Sequence, residues 1–187
     1  MTSPTVDNGI VYVGSLNSNL YAFNAMTGAL KWSYTAGGSI RGAPTVDNGT
    51  VYFGSFDHKI YALDALTGTL KWSYTTGDEV VASPAVANGF VYTGSVDGNL
   101  YALDALTGSL QWRGFGYAIR AAASIANGVV YLAGSDNTLR AFDATTGTLL
   151  WSQDFSFAGE ASPAIVDGVV YFTTQESGYG IIALSLP

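Results

Sequence analysis

The 187-residue sequence contains no cysteine and a single histidine. The lack of cysteine excludes disulfides, thiol catalysis and cysteine-based zinc or iron–sulfur sites. It is consistent with an oxidising compartment, where stray thiols are a liability. His58 follows Asp57 in a turn-like segment, so we interpret it as an exposed turn residue and not as part of a Ser-His-Asp triad. No catalytic residue and no metal ligand is therefore predicted.

Charged residues are also scarce: they make up 11% of the chain, whereas a typical globular domain has roughly 25%. The 7 lysines and arginines form no cluster, which argues against nucleic acid as a partner. No apolar run reaches the roughly 18 residues of a transmembrane helix, so none is predicted. The first residues, MTSPTVDNG, lack the charged and apolar regions of a signal peptide, so we expect no secretion signal in the given chain.

The sequence does contain an internal repeat. The segment YALDALTGTLKW (61–72) has three further copies, and the tryptophans that end the four copies are almost evenly spaced along the chain. The segment NGTVYFGS (48–55) recurs between them, as does a Ser-Pro or Ala-Pro pair. A residue that recurs in every unit is a structural residue by default, because a single functional site does not need four copies.

Each unit carries four short strand signals separated by turn signals. Asn88-Gly89 predicts a two-residue hairpin turn, because both positions of such a turn require a positive φ. Gly108 is expected to take the left-handed position of a longer loop. The middle strands are apolar on both faces, as expected for a sheet packed between two others. A period of roughly 40 residues with four strands per unit is typical of a β-propeller.

We therefore predict an all-β protein, a β-propeller of four-stranded antiparallel blades with four full blades and an incomplete fifth. A single domain is expected over residues 1–187. The approximate blade ranges are 3–35, 43–75, 83–114, 122–154 and 162–187. The fifth unit lacks the outer strand, and it has no Thr-Gly…Trp segment.

The four copies share the pattern A-x-D-x-x-T-G-x-x-x-W, with Asn24 in place of Asp in the first copy. This pattern resembles the PQQ-type (quinoprotein-like) repeat, which also occurs in the BamB family of outer-membrane assembly lipoproteins. The resemblance implies a tryptophan-docking motif that ties neighbouring blades together. It also implies protein partners and an extracytoplasmic (periplasmic or cell-surface) location. The implied docking residues are Trp32, Trp72, Trp112, Trp151, Gly28, Gly68, Gly108 and Gly147.

Functional residues are best sought where the repeats differ. Two positions before the Ser-Pro or Ala-Pro pair, or before the Ala-Ala that replaces it in the fourth unit, the sequence places Arg41, Val81, Arg120 and Glu160. Glu79 lies in the same loop as Val81. We expect this column at the start of the inner strands, near the mouth of the channel. There it can bind an anionic ligand or an acidic group of a partner. The alternative is mutual salt bridging around a water-filled channel.

Two functions of different class compete. The first is a non-catalytic binding or scaffold module, and this interpretation is preferred. The second is a fragment or relative of a PQQ-dependent dehydrogenase, an enzyme class that is larger and uses a calcium site with an acidic catalytic residue. Because this chain lacks cysteine and long insertions, we expect neither PQQ nor calcium to bind. Carbohydrate binding is a weaker third idea that rests on the aromatic content alone.

The fifth unit also raises the question of how a ring closes. The chain can form a five-bladed ring with an incomplete last blade, belong to a larger propeller, or form an open arc that makes a homo-oligomer through its end blades. We expect the compact ring, because packing blade one against blade five would bury both end faces at once.

Overall fold

The computed structural model describes residues 2–155, 162–174 and 180–185. These residues form nineteen β-strands in five antiparallel sheets, and they contain no helix. The predicted all-β propeller with four full blades and a three-stranded fifth is thereby confirmed. It follows that no helix capable of crossing a membrane occurs in the described part of the chain.

The strands follow one another as simple up-and-down meanders. Blade one consists of β1 (Thr5–Asp7), β2 (Ile10–Gly14), β3 (Asn19–Asn24) and β4 (Leu30–Thr35). Blade two consists of β5 (Thr45–Asp47), β6 (Thr50–Gly54), β7 (Lys59–Asp64) and β8 (Leu70–Thr75). Blade three consists of β9 (Ala85–Ala87), β10 (Phe90–Gly94), β11 (Asn99–Asp104) and β12 (Leu110–Phe115). Blade four consists of β13 (Ser124–Ala126), β14 (Val129–Ala133), β15 (Thr138–Asp143) and β16 (Leu149–Asp154). Blade five consists of β17 (Ala164–Val166), β18 (Val169–Thr174) and β19 (Gly180–Ser185).

The turn residues take the conformations that their sequence predicts. Asn88 and Gly89 join β9 to β10 with φ values of 52° and 79°, the positive angles of a two-residue hairpin. Gly108 has a φ of 72° in the loop before β12. A β-bulge between Ala102 and Leu103 then shifts the register of the outer strand.

The first strand of each blade lies innermost. Contacts between blades run from β1 to β5, then to β9, β13 and β17 in succession. The hydrophobic core lies between the blades. Tyr12 and Leu20 of blade one, for example, share a buried cluster with Val51, Phe53 and Leu63 of blade two. The central residues of the middle strands in blades two and three are therefore buried on both faces, which explains why they are uncharged.

Each tryptophan of blades one to three docks on the next blade. The Trp72 indole Nε1 donates a 3.0 Å hydrogen bond to the Ala105 carbonyl, and a Cβ on Gly108 would lie only 2.6 Å from the Trp72 ring. Trp32 and Trp112 are bound in the same way by the carbonyls of Ala65 and Ala144, next to Gly68 and Gly147. The ring thus lies on a peptide surface that any larger residue would obstruct.

A tyrosine on the second strand completes each docking contact. The Tyr52 hydroxyl donates to the Ala105 carbonyl at 3.1 Å, so this one oxygen accepts from both Tyr52 and Trp72 of the preceding blade. Tyr12 and Tyr92 bond the Ala65 and Ala144 carbonyls in the same way. These tyrosines are therefore part of the contact between blades, as their constant register indicates.

The two end faces of the arc are not covered. In blade one, Val13 and Tyr21 are only half-buried, whereas the equivalent Phe53 and Tyr61 of blade two are buried. On the far side of blade five, Ile181 is 75% exposed. The expectation that blade one closes on blade five is therefore wrong for the described residues. The blades form an open arc instead of a five-bladed ring.

Candidate functional site

The antiparallel order of the strands divides the loops between two ends of the propeller. The hairpins that join the first two and the last two strands of each blade lie at one end. The turns between the second and third strands lie at the other, together with the loops that connect successive blades, residues 36–44, 76–84 and 116–123. We call this second end the connection end. It carries Arg41, Glu79 and Arg120.

At the connection end, backbone hydrogen bonds join the blade-connecting loops to the turns between the second and third strands. Phe56 N–H of the β6–β7 turn donates to the Ser39 carbonyl at 2.9 Å. One blade further on, Val96 N–H donates to the Glu79 carbonyl at the same distance. Each turn is therefore paired with the loop that enters its blade, and the side chains at this end stand on a preorganised surface.

Two turn aspartates reinforce this pairing. The Asp97 carboxylate accepts hydrogen bonds from the Gly77 amide at 2.7 Å and from the Tyr101 hydroxyl at 2.5 Å. Burial alone would raise the pKa of Asp97, but the hydrogen bonds from Tyr101 and from the Asn99 and Gly77 amides outweigh it and lower the pKa. Burial and the neighbouring carboxylate together raise the pKa of Tyr101 to about 12. Asp57 makes the equivalent contacts in blade two.

Arg41 presents a cation at this end. Its side chain is exposed, and its guanidinium carbon lies 4.6 Å from the centre of the Phe56 ring. This is cation–π geometry, which fixes the side chain without neutralising its charge. Among the described residues Arg41 forms no ion pair. Its planar set of N–H donors is therefore available to an anionic group.

The other members of the predicted column have different surroundings. Arg120 is exposed in the loop that leads into β13. Glu79 is half-buried, and its carbonyl accepts hydrogen bonds from Val96 and Ser95. Glu160 lies outside the described residues. The convergence of these four side chains at one channel mouth stays a prediction.

Three hydrophobic residues at the connection end were not anticipated from the sequence. Phe115 and Tyr117 are 61% and 54% exposed, and their rings meet edge to face with centroids 5.1 Å apart. Leu16, in the β2–β3 turn, is 56% exposed. The sequence carried a signal, because the loop before β13 is one residue shorter than the loop before β9, and Phe115 stands where blades one and two have Thr35 and Thr75.

His58 also lies at the connection end. It is exposed, as predicted, and its Nε2 lies 3.8 Å from the Asp78 carboxylate. Both side chains are close to half exposed, so solvent screens any attraction between them. This pair supplies neither a nucleophile nor a buried base.

The described residues do not fit a calcium-bound quinone. Calcium binding requires six to eight oxygen ligands, several of them carboxylates. No group of three or more acidic or histidine side chains in the described part of the chain could hold a metal ion. The chain also has no cysteine to cover a quinone ring.

A comparison with family models identifies the repeat. The model described as outer membrane protein assembly factor BamB matches residues 2–114 and 78–186, which together span nearly the whole chain. The chain belongs to this family. Its PQQ-type repeats and its tryptophan-docking segments are thus features of a BamB-like propeller. No curated protein matches the sequence.

Solved structures with the same fold include a BamB protein, quinohemoprotein alcohol dehydrogenases and a computationally designed protein. BamB from Moraxella catarrhalis matches with a TM-score of 0.83 and 21% identity, over 98% of this chain and 60% of that one. The computationally designed Ika8 protein matches with a TM-score of 0.82 and 20% identity, over 97% and 57%. Quinohemoprotein alcohol dehydrogenase from Comamonas testosteroni matches with a TM-score of 0.81 and 18% identity, over 97% and 41%. The chain therefore spans less than two thirds of the length of each of these proteins.

Proposed function

We propose that this BamB-like propeller is a non-catalytic scaffold that binds another protein through its connection end. The family's description as an outer membrane protein assembly factor supports a protein partner and an extracytoplasmic site of action. The observation that carries the proposal is Arg41, which is held over Phe56 on a rigid loop and keeps its charge available. An acidic group on the partner is its natural counterpart.

The composition of the connection end supports the same proposal. Aromatic residues and arginine are enriched at protein interfaces, and lysine and glutamate are depleted there. Phe115, Tyr117 and Leu16 are exposed at this end, together with Arg41 and Arg120. In a chain with a net charge of −7, two exposed arginines at the same end as two exposed aromatic rings form a distinctive surface.

The test is a comparison of two double variants that remove the same charge. Arg41→Ala/Arg120→Ala changes the connection end, whereas Lys31→Ala/Arg113→Ala changes exposed residues of the outer strands β4 and β12. We expect crosslinked partner recovery from the native cell envelope to fall at least tenfold for the first variant only, with unchanged melting temperatures. Equal recovery by the two variants would show that the connection end does not bind the partner.

A quinone-dependent dehydrogenase is the second candidate, because enzymes of that class share the fold. The absence of a calcium-ligating group among the described residues weighs against it. Calorimetric titration with PQQ and calcium tests it directly. We expect no heat of binding and no thermal shift, and saturable binding with a rise in melting temperature would instead favour the enzyme.

A further inference from the structure

The end of the propeller opposite the connection end carries exposed leucines in a repeating pattern. We call it the hairpin end, because the hairpins between the first two and the last two strands of each blade lie there. In the hairpin that leads to β12, Leu106 is 83% exposed, and Leu66 is 65% exposed at the same position of blade two. Each outer strand then begins with a leucine that is 40–55% exposed. These four residues are Leu30, Leu70, Leu110 and Leu149.

Tryptophan docking joins these leucines into one surface. Trp112 follows Leu110 by two residues, and its ring lies against Gly147, which precedes Leu149 by two residues. Equivalent contacts link the preceding blades. In blade four, Leu150 extends the surface and is half exposed. Exposed apolar surface of this kind commonly marks a binding site. Blades three and four each have a neighbour on both sides, so their part of the surface lies away from the end faces of the arc.

The turns at the hairpin end carry charge of one sign. They contain six aspartates and no lysine, arginine or glutamate over residues 7–10, 24–30, 47–50, 64–70, 87–90, 104–110, 126–129, 143–149 and 166–169. Blades one and two place Lys31 and Lys71 as the second residue of the outer strand, but blades three and four have Gln111 and Leu150 there. At blades three and four, therefore, no lysine follows the turn to offset its aspartate.

The turn aspartates of blades three and four each use one carboxylate oxygen to hold the turn. Asp104 Oδ1 accepts hydrogen bonds from the Leu106 amide at 3.0 Å and from the Thr107 amide at 2.7 Å. Asp143 Oδ1 is bound in the same way. Hydrogen bonds from the turn, chiefly from the amide three residues on, lower the pKa of both carboxyls. Among the described residues neither aspartate forms a salt bridge, and no hydrogen bond ends at either Oδ2. Each Oδ2 is therefore available to a cation without loss of the turn.

We propose that the hairpin end of blades three and four binds an amphipathic helix of a partner protein. The apolar stripe of the helix packs on the exposed leucines, as anchors spaced three or four residues apart do in other helix-binding surfaces. Its lysines or arginines lie along this apolar surface and bring their charged ends to the two Oδ2 atoms. We call the site the acidic rim, and its residues are Asp104, Leu106, Leu110, Asp143, Leu149 and Leu150. The acidic rim is separate from the connection end and does not depend on the function proposed there.

A helix from another protein fits the acidic rim better than the alternatives do. Strand addition to β12 or β16 is disfavoured, because the register of each shifts at a β-bulge near this end. An anionic membrane surface attracts lysine and arginine, so it would repel these turns. A second copy of the chain is a poor source of the helix, because its described residues form strands only.

A model peptide serves as the probe. The dye-labelled peptide LKKLLKLLKKLLKL forms an amphipathic helix about 21 Å long, enough to cross two sheets packed about 10 Å apart. It is titrated into the full chain and followed by fluorescence anisotropy. We expect saturable binding, and at least tenfold weaker binding of LEELLELLEELLEL, which has the same leucines and the opposite charge.

The first variant removes the charges of the acidic rim and keeps its turns. In Asp104→Asn/Asp143→Asn, each asparagine can hold its turn as Asn24 does in blade one, where Oδ1 accepts from the Met26 and Thr27 amides. We expect peptide binding to weaken at least fivefold with an unchanged melting temperature. The matched control, Asp78→Asn/Glu79→Gln, removes two charges at the connection end and should bind as the wild type does.

The second variant removes leucines by copying the residues of other blades. Leu106→Thr introduces the threonine that blade four has at position 145, and Leu150→Gln introduces the glutamine that blade three has at position 111. We expect the double variant to weaken binding at least fivefold. The matched control, Leu16→Thr/Phe115→Thr, removes two exposed apolar residues at the connection end.

Three results would overturn the proposal. The first is equal binding by the acidic rim variants and their controls. The second is flotation of the chain with phosphatidylcholine vesicles that Leu106→Thr/Leu150→Gln abolishes, because the occupant would then be lipid. The third is a dimer of the chain, measured by light scattering, that the same variant dissociates, because the occupant would then be a second copy.

Discussion

Gly28 and Gly108 occupy the same turn position in different blades but have different surroundings. Both have left-handed backbones, with φ values of 70° and 72°. Gly108 lies under the Trp72 ring, whereas a Cβ on Gly28 would meet nothing within 4 Å. Position 108 therefore needs glycine both for its positive φ and for its contact with the Trp72 ring, whereas position 28 needs it for its positive φ alone.

Alanine substitutions at Gly28 and Gly108 distinguish the free-energy cost of backbone strain from the cost of disturbing tryptophan docking. We expect Gly28→Ala to lower the free energy of unfolding by about 1–2 kcal/mol, the cost of a left-handed alanine. Gly108→Ala should cost about 1–3 kcal/mol more, because its Cβ would overlap the indole. Urea denaturation of both variants measures the difference. Equal losses would mean that the indole moves away freely.

Asp97 is the residue at which stability should depend on acid. Its carboxylate joins the blade-connecting loop to the β10–β11 turn, and its pKa lies below the ordinary value. A group whose pKa is lower in the folded state stabilises the fold above its unfolded pKa, about 3.9. That contribution is lost as the pH falls through the folded value.

Acid should therefore weaken the wild-type chain more than an Asp97→Asn variant. At pH 7 we expect the variant to be less stable by about 2 kcal/mol, because hydrogen bonds to a charged acceptor are lost. The two proteins should converge only as the pH falls below about 3.9 towards the lowered pKa of Asp97 in the folded state. Urea denaturation at pH 7, 4 and 3 tests this, and a constant difference across that range would contradict it.

At the scale of the strands, side-chain hydrogen bonds join the inner strand of one blade to the next blade at three of the four junctions. Thr5 Oγ1 donates to the Pro44 carbonyl at 2.5 Å, and Thr45 Oγ1 to the Pro84 carbonyl at 2.6 Å. Ser124 bonds Pro163 in the same way. In blade three this position is Ala85, which has no hydroxyl to bond the next blade.

Restoring the hydroxyl should strengthen this junction. We expect Ala85→Thr to raise the free energy of unfolding by about 1 kcal/mol, the net value of one intramolecular hydrogen bond. Thr45→Ala should lower it by a similar amount and serves as the matched control. Chemical denaturation measures both. If Ala85→Thr were neutral while Thr45→Ala destabilised, the blade three junction would have a different geometry.

Strand positions were largely predictable from the sequence, whereas the contacts of the loops were not. The Asn-Gly and Thr-Gly turns mark where each strand ends, because only a few residues adopt positive φ at low cost. The placement of Arg41 on Phe56 joins a loop and a turn that lie on either side of β5 and β6 in the sequence. No local periodicity encodes such a pairing. The sequence therefore predicted Arg41 as a binding residue but did not predict its contact with Phe56.

At the scale of the whole molecule, the open arc should have uneven stability. Blades two and three are covered on both faces, whereas one face of blade one and one face of blade five are exposed. In a repeat protein each unit is stabilised chiefly by its neighbours. The end blades therefore lack one of the two interfaces that stabilise the middle ones.

Hydrogen exchange should show this gradient. We expect the amides of β6, β7, β10 and β11 to exchange at least tenfold more slowly than those of β2 and β18, because the end blades open locally. Mass spectrometry of exchange over minutes to hours provides the measurement. Uniform protection across the five blades would indicate an assembly that covers both ends in solution.

The sequence by itself determined the strands, the blades and the tryptophan docking, because each rests on a pattern that recurs from one unit to the next. A repeat specifies how any unit packs on the next. It does not specify what happens at the first and last units, where one neighbour is absent. Only the tertiary structure decided that Ile181 and Tyr171 are exposed and that the arc stays open. The physical reason is that burial of an end face depends on the curvature of the whole arc, which no single repeat contains.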